Sequence, residues 1–149
     1  MNPTVNKSDF EDLTTNLKDL AYSYLEKYSP SKQQLKVYLL KKYLTKIKGT
    51  KSKKEVTSII DEIILNLEKN KIINDGMYSD SKARMFLRRG YSLNKINQSL
   101  RNKGIDSKFI KQSIDKIKED NIEPDFVSAL KLCKRRRIGP LRPNENREL

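Results

Sequence analysis

The stretch YSLNKINQSLRNKGI, residues 91–105, decides the fold of this chain. Ser92 can cap a helix, because its hydroxyl can accept from backbone N–H groups of the first turn. Three apolar residues spaced three and four apart share one face of that helix: Leu93, Ile96 and Leu100. Gly104 suits the left-handed position just past a helix end, where Ile105 would fold back on the last turn. The stretch predicts a short helix with an apolar side and a defined stop.

Similar signals predict six further helices. Capping-box patterns, in which two side chains satisfy each other's backbone donors, open three of them: SDFE at 8–11, SKQQ at 31–34 and SKKE at 52–55. The first helix is expected over about 9–28, and the second is expected to fade near 48–50. Apolar residues at helical spacing make the third the clearest: Val56, Ile59, Ile60, Ile63, Ile64 and Leu67.

Three more helices are predicted in the second half of the chain. Asp75 is expected to cap a fourth helix that runs to about Arg89. The residues predicted to face the core from this helix are Met77, Tyr78, Met85 and Phe86. Asp106 is expected to cap the helix that follows the 91–105 stretch. Pro124 suits a first helical turn, so a last helix is predicted to about Arg137, followed by a frayed tail.

Composition favours an all-helical protein with a small core. Hydrophobic residues make up 36% of the 149 and charged residues 34%, with five Gly and five Pro. Few stretches alternate as strands do, and Lys, Ile, Leu and Asn dominate. The fold class predicted is all-α.

The net charge of +13 indicates an anionic partner, such as nucleic acid or an acidic surface. The chain has no His and one Cys, Cys133, so it lacks a Cys–His pair and the usual ligands of zinc. No cofactor, metal or catalytic residue is predicted. No apolar run approaches the ~20 residues of a membrane span, and no secretion signal is visible. We expect a soluble, cytoplasmic protein.

Self-comparison indicates a repeat. SKQQLKVYLLKK at 31–42 matches SLNKINQSLRNK at 92–103 at an offset of 61, and Val56, Ile60 and Ile63 match Ile110, Ile114 and Ile117 at 54. At an offset of 50, 75–79 matches 125–129. The predicted organisation is a tail over 1–8, three-helix units over 9–70 and 75–120, and the start of a third unit with its tail over 124–149.

The basic residues also cluster in three blocks that recur along the sequence. Residues 27–54 carry ten Lys and no acid, residues 81–105 carry seven basic residues and no acid, and residues 126–144 carry six basic residues. Stacked units would align these blocks into a stripe, which suits a long polyanionic or acidic partner. The plainer interpretation is a lysine-rich, solubilising surface.

The order of these motifs resembles the RecX family, regulatory proteins of the RecA recombinase. The residues that carry the resemblance are DGMYS at 75–79, Arg84, Gly90, Ile96 and LRNKGI at 100–105, with SKQQLKVYL at 31–39 before them and ALKLCKRRRIGP at 129–140 after them. It covers about residues 19–142. Ser79 stands where the family has another small residue. Family members also complete a third unit, whereas this chain ends soon after that unit's first helix.

The resemblance implies an elongated, curved array of three-helix repeats that lies in the groove of the RecA–DNA filament. It implies inhibition of filament extension and of the ATPase, strand-exchange and coprotease activities, hence regulation of DNA repair and the SOS response. It also implies weaker, phosphate-directed binding to single- and double-stranded DNA. We expect a non-catalytic monomer. The candidate contacts to RecA or DNA are Arg84, Arg88, Arg89, Lys95, Arg101, Lys103, Lys134, Arg135, Arg136 and Arg137.

Other functions remain open at this point. A helix-turn-helix protein would place the helix over about 93–103 in the major groove, although the basic residues are spread as phosphate contacts would be. An enzyme has little support, because the adjacent carboxylates at 61–62 and 119–120 diverge on a helix. Tyr78, Phe86 and Tyr91 could stack on bases, but their apolar faces favour the core. A membrane patch at 134–137 lacks a matching apolar face.

Overall fold

A computed structural model describes residues 7–47 and 51–139. Within those ranges the chain forms seven α-helices and no strand, so the all-α prediction is confirmed. The helices are α1 (Lys7–Lys27), α2 (Lys32–Lys42), α3 (Lys53–Lys69), α4 (Asp75–Arg88), α5 (Leu93–Asn102), α6 (Ser107–Asp120) and α7 (Pro124–Arg136). Tyr43–Ile47 extends α2 as a π-helical turn. The predicted loop at 48–50 and the predicted tails before 7 and after 139 lie outside the described residues.

The chain divides into two compact units, Met1–Asp75 and Gly76–Leu149. In the first, α1, α2 and α3 pack on one another around a single apolar core. All six residues of the predicted α3 stripe are buried in it. Because each buried aliphatic side chain contributes roughly 1.5–3 kcal/mol, this stripe makes a large contribution to the stability of the first unit. The arrangement of the chain as tandem repeats stays a prediction.

In the second unit, α4, α5 and α6 surround a smaller core. Its buried apolar members are Tyr78, Ala83, Phe86, Ile96, Leu100, Ile105, Ile110 and Ile117. Ile96 and Leu100 are fully buried, as the spacing predicted. Met77 is 71% exposed, so its predicted core position is wrong. It lies one residue before Tyr78, about 100° around the helix, and therefore faces away from the core.

The predicted stop of α5 is confirmed in detail. Gly104 has a φ of 75°, its N–H donates to the Arg101 carbonyl at 2.9 Å, and the Ile105 N–H donates to the Leu100 carbonyl at 3.2 Å. These are the two hydrogen bonds of a Schellman motif. Ile105 is buried with Leu100, so the chain reverses into α6 over an apolar contact.

Helix starts follow the predicted caps with two exceptions. Ser31, Ser52 and Ser92 accept from the N–H three residues later, and Asp106 accepts from Lys108. Ser8, however, lies inside the first turn of α1, so it is not the predicted cap. Asp75, predicted to precede α4, is its first residue.

Two aspartates satisfy the first turns of helices that lie far back in the sequence. The Asp75 carboxylate accepts the Lys32 N–H at the start of α2 at 2.9 Å, and the Asp125 carboxylate accepts the Leu93 N–H at the start of α5 at 2.6 Å. Burial raises the pKa of Asp75, and the hydrogen bond and charge of Lys32 only partly oppose it. Neither α2 nor α5 has an acidic residue in its first turn, so each aspartate supplies charge that the helix dipole favours.

We expect Asp125→Ala to loosen the start of α5. It removes a charge-assisted bond to a first-turn N–H, which is worth about 1–2 kcal/mol. Amide exchange over Leu93–Ile96 should accelerate by about tenfold, whereas Asp125→Asn, which keeps an acceptor oxygen, should have a smaller effect. Asp115→Ala, at an exposed acid of α6, is the control. Equal effects of the Asp115 and Asp125 changes would contradict this role.

Candidate nucleic-acid and protein interface

Nine of the ten predicted contact residues are exposed, and Lys103 is partly buried. They come from α4, the turn after it, α5 with its C-cap Lys103, and the C-terminal half of α7 with Arg137. Among the described residues, ion pairs form between Lys32 and Glu68, between Lys36 and Asp61, and between Lys116 and Asp80. The roles of the ten residues in binding stay predictions.

Two of the predicted arginines share a shallow depression on α4. Arg84 and Arg88 lie one turn apart and border it with Met77, Asp80 and Ser81. Arg84 acts electrostatically on Asp80, whereas Arg88 lies at the C-terminal end of the helix, where a positive charge is favoured by the helix dipole. This depression therefore carries two positive charges and one carboxylate.

A second groove joins two basic blocks that are far apart in the sequence. It lies between the start of α5 and the outer part of α7 and has a volume of about 250 Å³. Lys95 comes from α5, and Arg135 and Arg136 come from α7. The remaining lining residues are Gly90, Tyr91, Ser92, Asp125, Ser128, Ala129 and Leu132. We call this the α5–α7 groove.

Gly90 allows α7 to approach the turn that precedes α5. It has a φ of 85°, and a Cβ atom there would lie 3.1 Å from the Ser128 carbonyl oxygen and 3.4 Å from the Leu132 nitrogen. The turn repeats the Schellman geometry, since the Tyr91 N–H donates to the Phe86 carbonyl at 3.0 Å. A side chain at position 90 would thus strain the backbone and push α7 away.

The aromatic residues at this turn belong to the core. Tyr78 and Phe86 are buried, as the core interpretation predicted. Tyr91 is partly buried and stacks on Phe86 with ring centroids 5.0 Å apart, while the Lys95 ammonium lies 4.0 Å from the centre of the Tyr91 ring. These contacts engage the Tyr91 ring within the unit, and base stacking on it gains no support.

Arg101 lies apart from the α5–α7 groove. It borders a broad depression of about 500 Å³ together with α6 residues, which include Lys108, Lys111 and Lys118. These lysines lie outside the acid-free blocks of the sequence, because α6 also carries Asp115, Glu119 and Asp120. The signal was present, since 108, 111 and 118 recur at helical spacing on one face.

A polar network between α4 and α6 was also missed. The Ser79 and Ser113 hydroxyl oxygens are 2.7 Å apart in the buried interior. Ser113 also donates to Asp80 at 2.6 Å, and the Lys116 ammonium donates to the other Asp80 oxygen at 2.5 Å. The network holds α4 against α6. Because Arg84 also lies on α4, the network helps to fix the position of Arg84 on the surface.

The charge state of Asp80 follows from these partners. Burial acts to raise the pKa of its carboxyl, but the bonds from Lys116 and Ser113 and the charges of Lys116 and Arg84 outweigh burial. The pKa therefore lies below its ordinary value of 3.8. Ionised Asp80 stabilises the fold above its unfolded-state pKa, and this stabilisation is lost as the pH falls through the folded-state pKa.

Within residues 7–47 and 51–139, no cluster of three acidic or Cys side chains is placed to hold a metal ion. Cys133 is a free, partly buried thiol, less enclosed than a core residue. No helix in the described part of the chain is long and apolar enough to cross a membrane.

The two units define a class: a small, basic, all-α protein built from short helices, with cationic grooves on its described surface. Regulatory protein RecX of Myxococcus xanthus (strain DK1622) is 28% identical to the chain over 129 residues, which is 86% of this chain and 68% of that protein. No family model and no solved structure matches the chain. The similarity to the Myxococcus protein supports assigning the chain to the RecX family and supports a regulatory role.

We expect Gly90→Ala to destabilise the second unit. The left-handed backbone costs a non-glycine residue about 1–2 kcal/mol, and the contact with α7 adds to it. Gly139→Ala is the matched control, because Gly139 also has a positive φ of 69° but has nothing within 4 Å of its would-be Cβ. Thermal unfolding should show a clearly larger fall for Gly90→Ala. Equal falls would show that the approach of α7 is not constrained there.

We expect Asp80→Asn to lower the free energy of unfolding at pH 7 by about 1 kcal/mol or less, because the ion pair is open to solvent on one side. The difference from the parent protein should shrink as the pH falls from 3.8 through the lower folded-state pKa, because Asp80 protonates first in the unfolded state and then in the folded state. Urea denaturation at pH 7 and near pH 2.5 tests this, with Asp115→Asn as control. A difference that persists unchanged at acid pH would contradict the sign of the shift.

Proposed function

We propose that this protein is a cytoplasmic, non-catalytic regulator of the RecA recombinase. It binds in the groove of the RecA–DNA filament, limits filament extension, and thereby inhibits the ATPase, strand-exchange and coprotease activities. The observation that carries the proposal is the similarity to a RecX regulatory protein over 86% of the chain. The three basic blocks, matched at repeat offsets, add support.

The proposed architecture is a tandem array with units over 9–70 and 75–120 and the beginning of a third over 124–149. The two aspartate-to-helix bonds support it, because Asp75 and Asp125 are related by the offset of 50 and their partner helices α2 and α5 by the offset of 61. Equivalent residues make equivalent bonds. In a repeat array the basic blocks would recur along one side, as a filament groove requires.

The charges suit a surface that contains both phosphate and acidic side chains. Arg84, Arg88 and Arg101 are exposed on short helices, and a single exposed ion pair is worth little. Several such contacts along a filament add up and also speed association through electrostatic steering. The protein is proposed to act as a monomer, with DNA itself as a weaker, phosphate-directed partner.

The alternative of a helix-turn-helix reader is less well supported. Such a reader places the N-terminal residues of its recognition helix on base edges. At the N-terminus of α5 the Asp125 carboxylate accepts the Leu93 N–H. The backbone of α7 also packs against Gly90 in the turn before α5, so this end of α5 is covered and α5 is a poor recognition helix.

The test is the ATPase activity of RecA on single-stranded DNA with this protein added below stoichiometry. We expect inhibition. The double change Arg84→Gln and Arg88→Gln should raise the concentration for half-inhibition by about threefold to tenfold, since it removes charge contacts but leaves the core intact. The double change Lys18→Gln and Lys69→Gln removes equal charge from exposed lysines outside the predicted set and serves as control.

Unchanged RecA turnover at a twofold excess of this protein over RecA would contradict the proposal. Sequence-selective binding to naked duplex DNA, as tight as binding to the filament, would favour the helix-turn-helix alternative instead.

A further inference from the structure

We propose that the α5–α7 groove is a discrete site for one phosphate of a nucleic-acid backbone, held by Lys95, Arg135, Arg136 and the hydroxyl of Ser128. This inference rests on the proposed function, since it names the chemistry by which the protein would contact the DNA of the filament. The proposed site differs from a general basic surface, because a neutral, buried side chain, that of Ser128, also binds the phosphate.

Ser128 is the observation that points to a ligand. It is 1% exposed, its hydroxyl has no hydrogen-bond partner, and it lines the groove. Buried hydroxyls are nearly always paired, because an unpaired one loses its bonds to water without replacement. An acceptor from outside the protein would complete the bonding of Ser128.

Other hydroxyls in this chain show what Ser128 does not do. Helical Ser and Thr residues commonly donate to the carbonyl four residues earlier. Five do so here: Thr14, Thr15, Thr45, Thr57 and Ser58. The buried hydroxyls of Ser79 and Ser113 pair with each other. Within the described ranges, Ser128 follows neither pattern.

The charges around Ser128 select an anion. The groove holds three cations, Lys95, Arg135 and Arg136, and one acid, Asp125, so its walls carry a surplus of positive charge. Asp125 is already engaged, because it accepts the Leu93 N–H at 2.6 Å. No ion pair among the described residues uses any of the three cations.

A phosphodiester fits this donor set. Guanidinium groups bind phosphate oxygens through paired, charge-assisted hydrogen bonds, and two arginines stand at the outer end of α7. Lys95 rests over the Tyr91 ring at 4.0 Å, and its flexible stem can carry the ammonium to a bound anion. A volume of about 250 Å³ is large enough for one phosphate group with its flanking sugar atoms.

The test measures binding to a labelled oligo(dT) of about 20 nucleotides by fluorescence anisotropy at several salt concentrations. Ser128→Ala should weaken binding about tenfold or more, the effect of one hydrogen bond to a charged group. The melting temperature should stay level or rise, because the change removes an unpaired buried hydroxyl. The salt slope should also stay the same, because no charge is lost.

The double change Arg135→Gln and Arg136→Gln should weaken binding and reduce the salt slope by about 0.7 for each lost phosphate contact. Lys18→Gln with Lys69→Gln is the charge-matched control and should change both much less. Equal effects of the two double changes would overturn a discrete site.

Three other outcomes would also overturn the inference. One is parental affinity in Ser128→Ala, and another is a loss of affinity that comes with a lower melting temperature, which would mean a structural role. The third is displacement of the oligonucleotide by poly-glutamate, which would assign the groove to an acidic protein segment. Displacement by inorganic phosphate at millimolar concentration, weaker in Ser128→Ala, would support the site.

Failure of this inference is separable from failure of the proposed function. If Ser128→Ala binds oligo(dT) as the parent does while the parent inhibits the RecA ATPase, only the groove assignment is wrong. If the parent neither binds oligo(dT) nor inhibits RecA, both are wrong.

Discussion

The structure depends on how the first turns of two short helices are satisfied. An α-helix leaves its first N–H groups without internal partners, and α2 and α5 are too short to be stable without tertiary support. A serine at each start supplies one acceptor. An aspartate 43 residues later for α2, and 32 residues later for α5, supplies the other. Local caps and distant carboxylates together fix where each helix begins.

The same bond brings the cationic side chains together in the second unit. Asp125 ties the beginning of α7 to the beginning of α5, and Gly90 lets the α7 backbone come within contact distance of the turn. Lys95 and the arginines at 135 and 136 then border one groove, although forty residues separate them in the sequence. Charge patterning alone supplies a basic composition. The packing of α7 on Gly90 brings two basic parts of the sequence to one groove.

The helices and their stops were predictable because local rules decide them. The α3 stripe, the serine caps and the Gly104–Ile105 turn all follow from spacing and residue type. The unit organisation and the ten contact residues stay predictions. Hydrogen bonds between residues far apart in the sequence were not predictable. Asp75 was expected to cap its own helix, but its carboxylate accepts the Lys32 N–H. The hydrogen bond between Ser79 and Ser113 depends on how α4 packs on α6. Ser128 gave no signal, since an unpaired hydroxyl is recognisable only after its surroundings are known.

The most direct test of the proposed regulation is hydrogen–deuterium exchange of this protein, free and bound to RecA filaments on single-stranded DNA. We predict slower exchange over residues 84–103 and 129–139, where exposed basic side chains surround the grooves. The acidic helix α1, over Lys7–Lys27, should exchange at the same rate in both states. Protection confined to α1, or no protection anywhere at saturating filament, would contradict the assignment of this surface to the RecA filament.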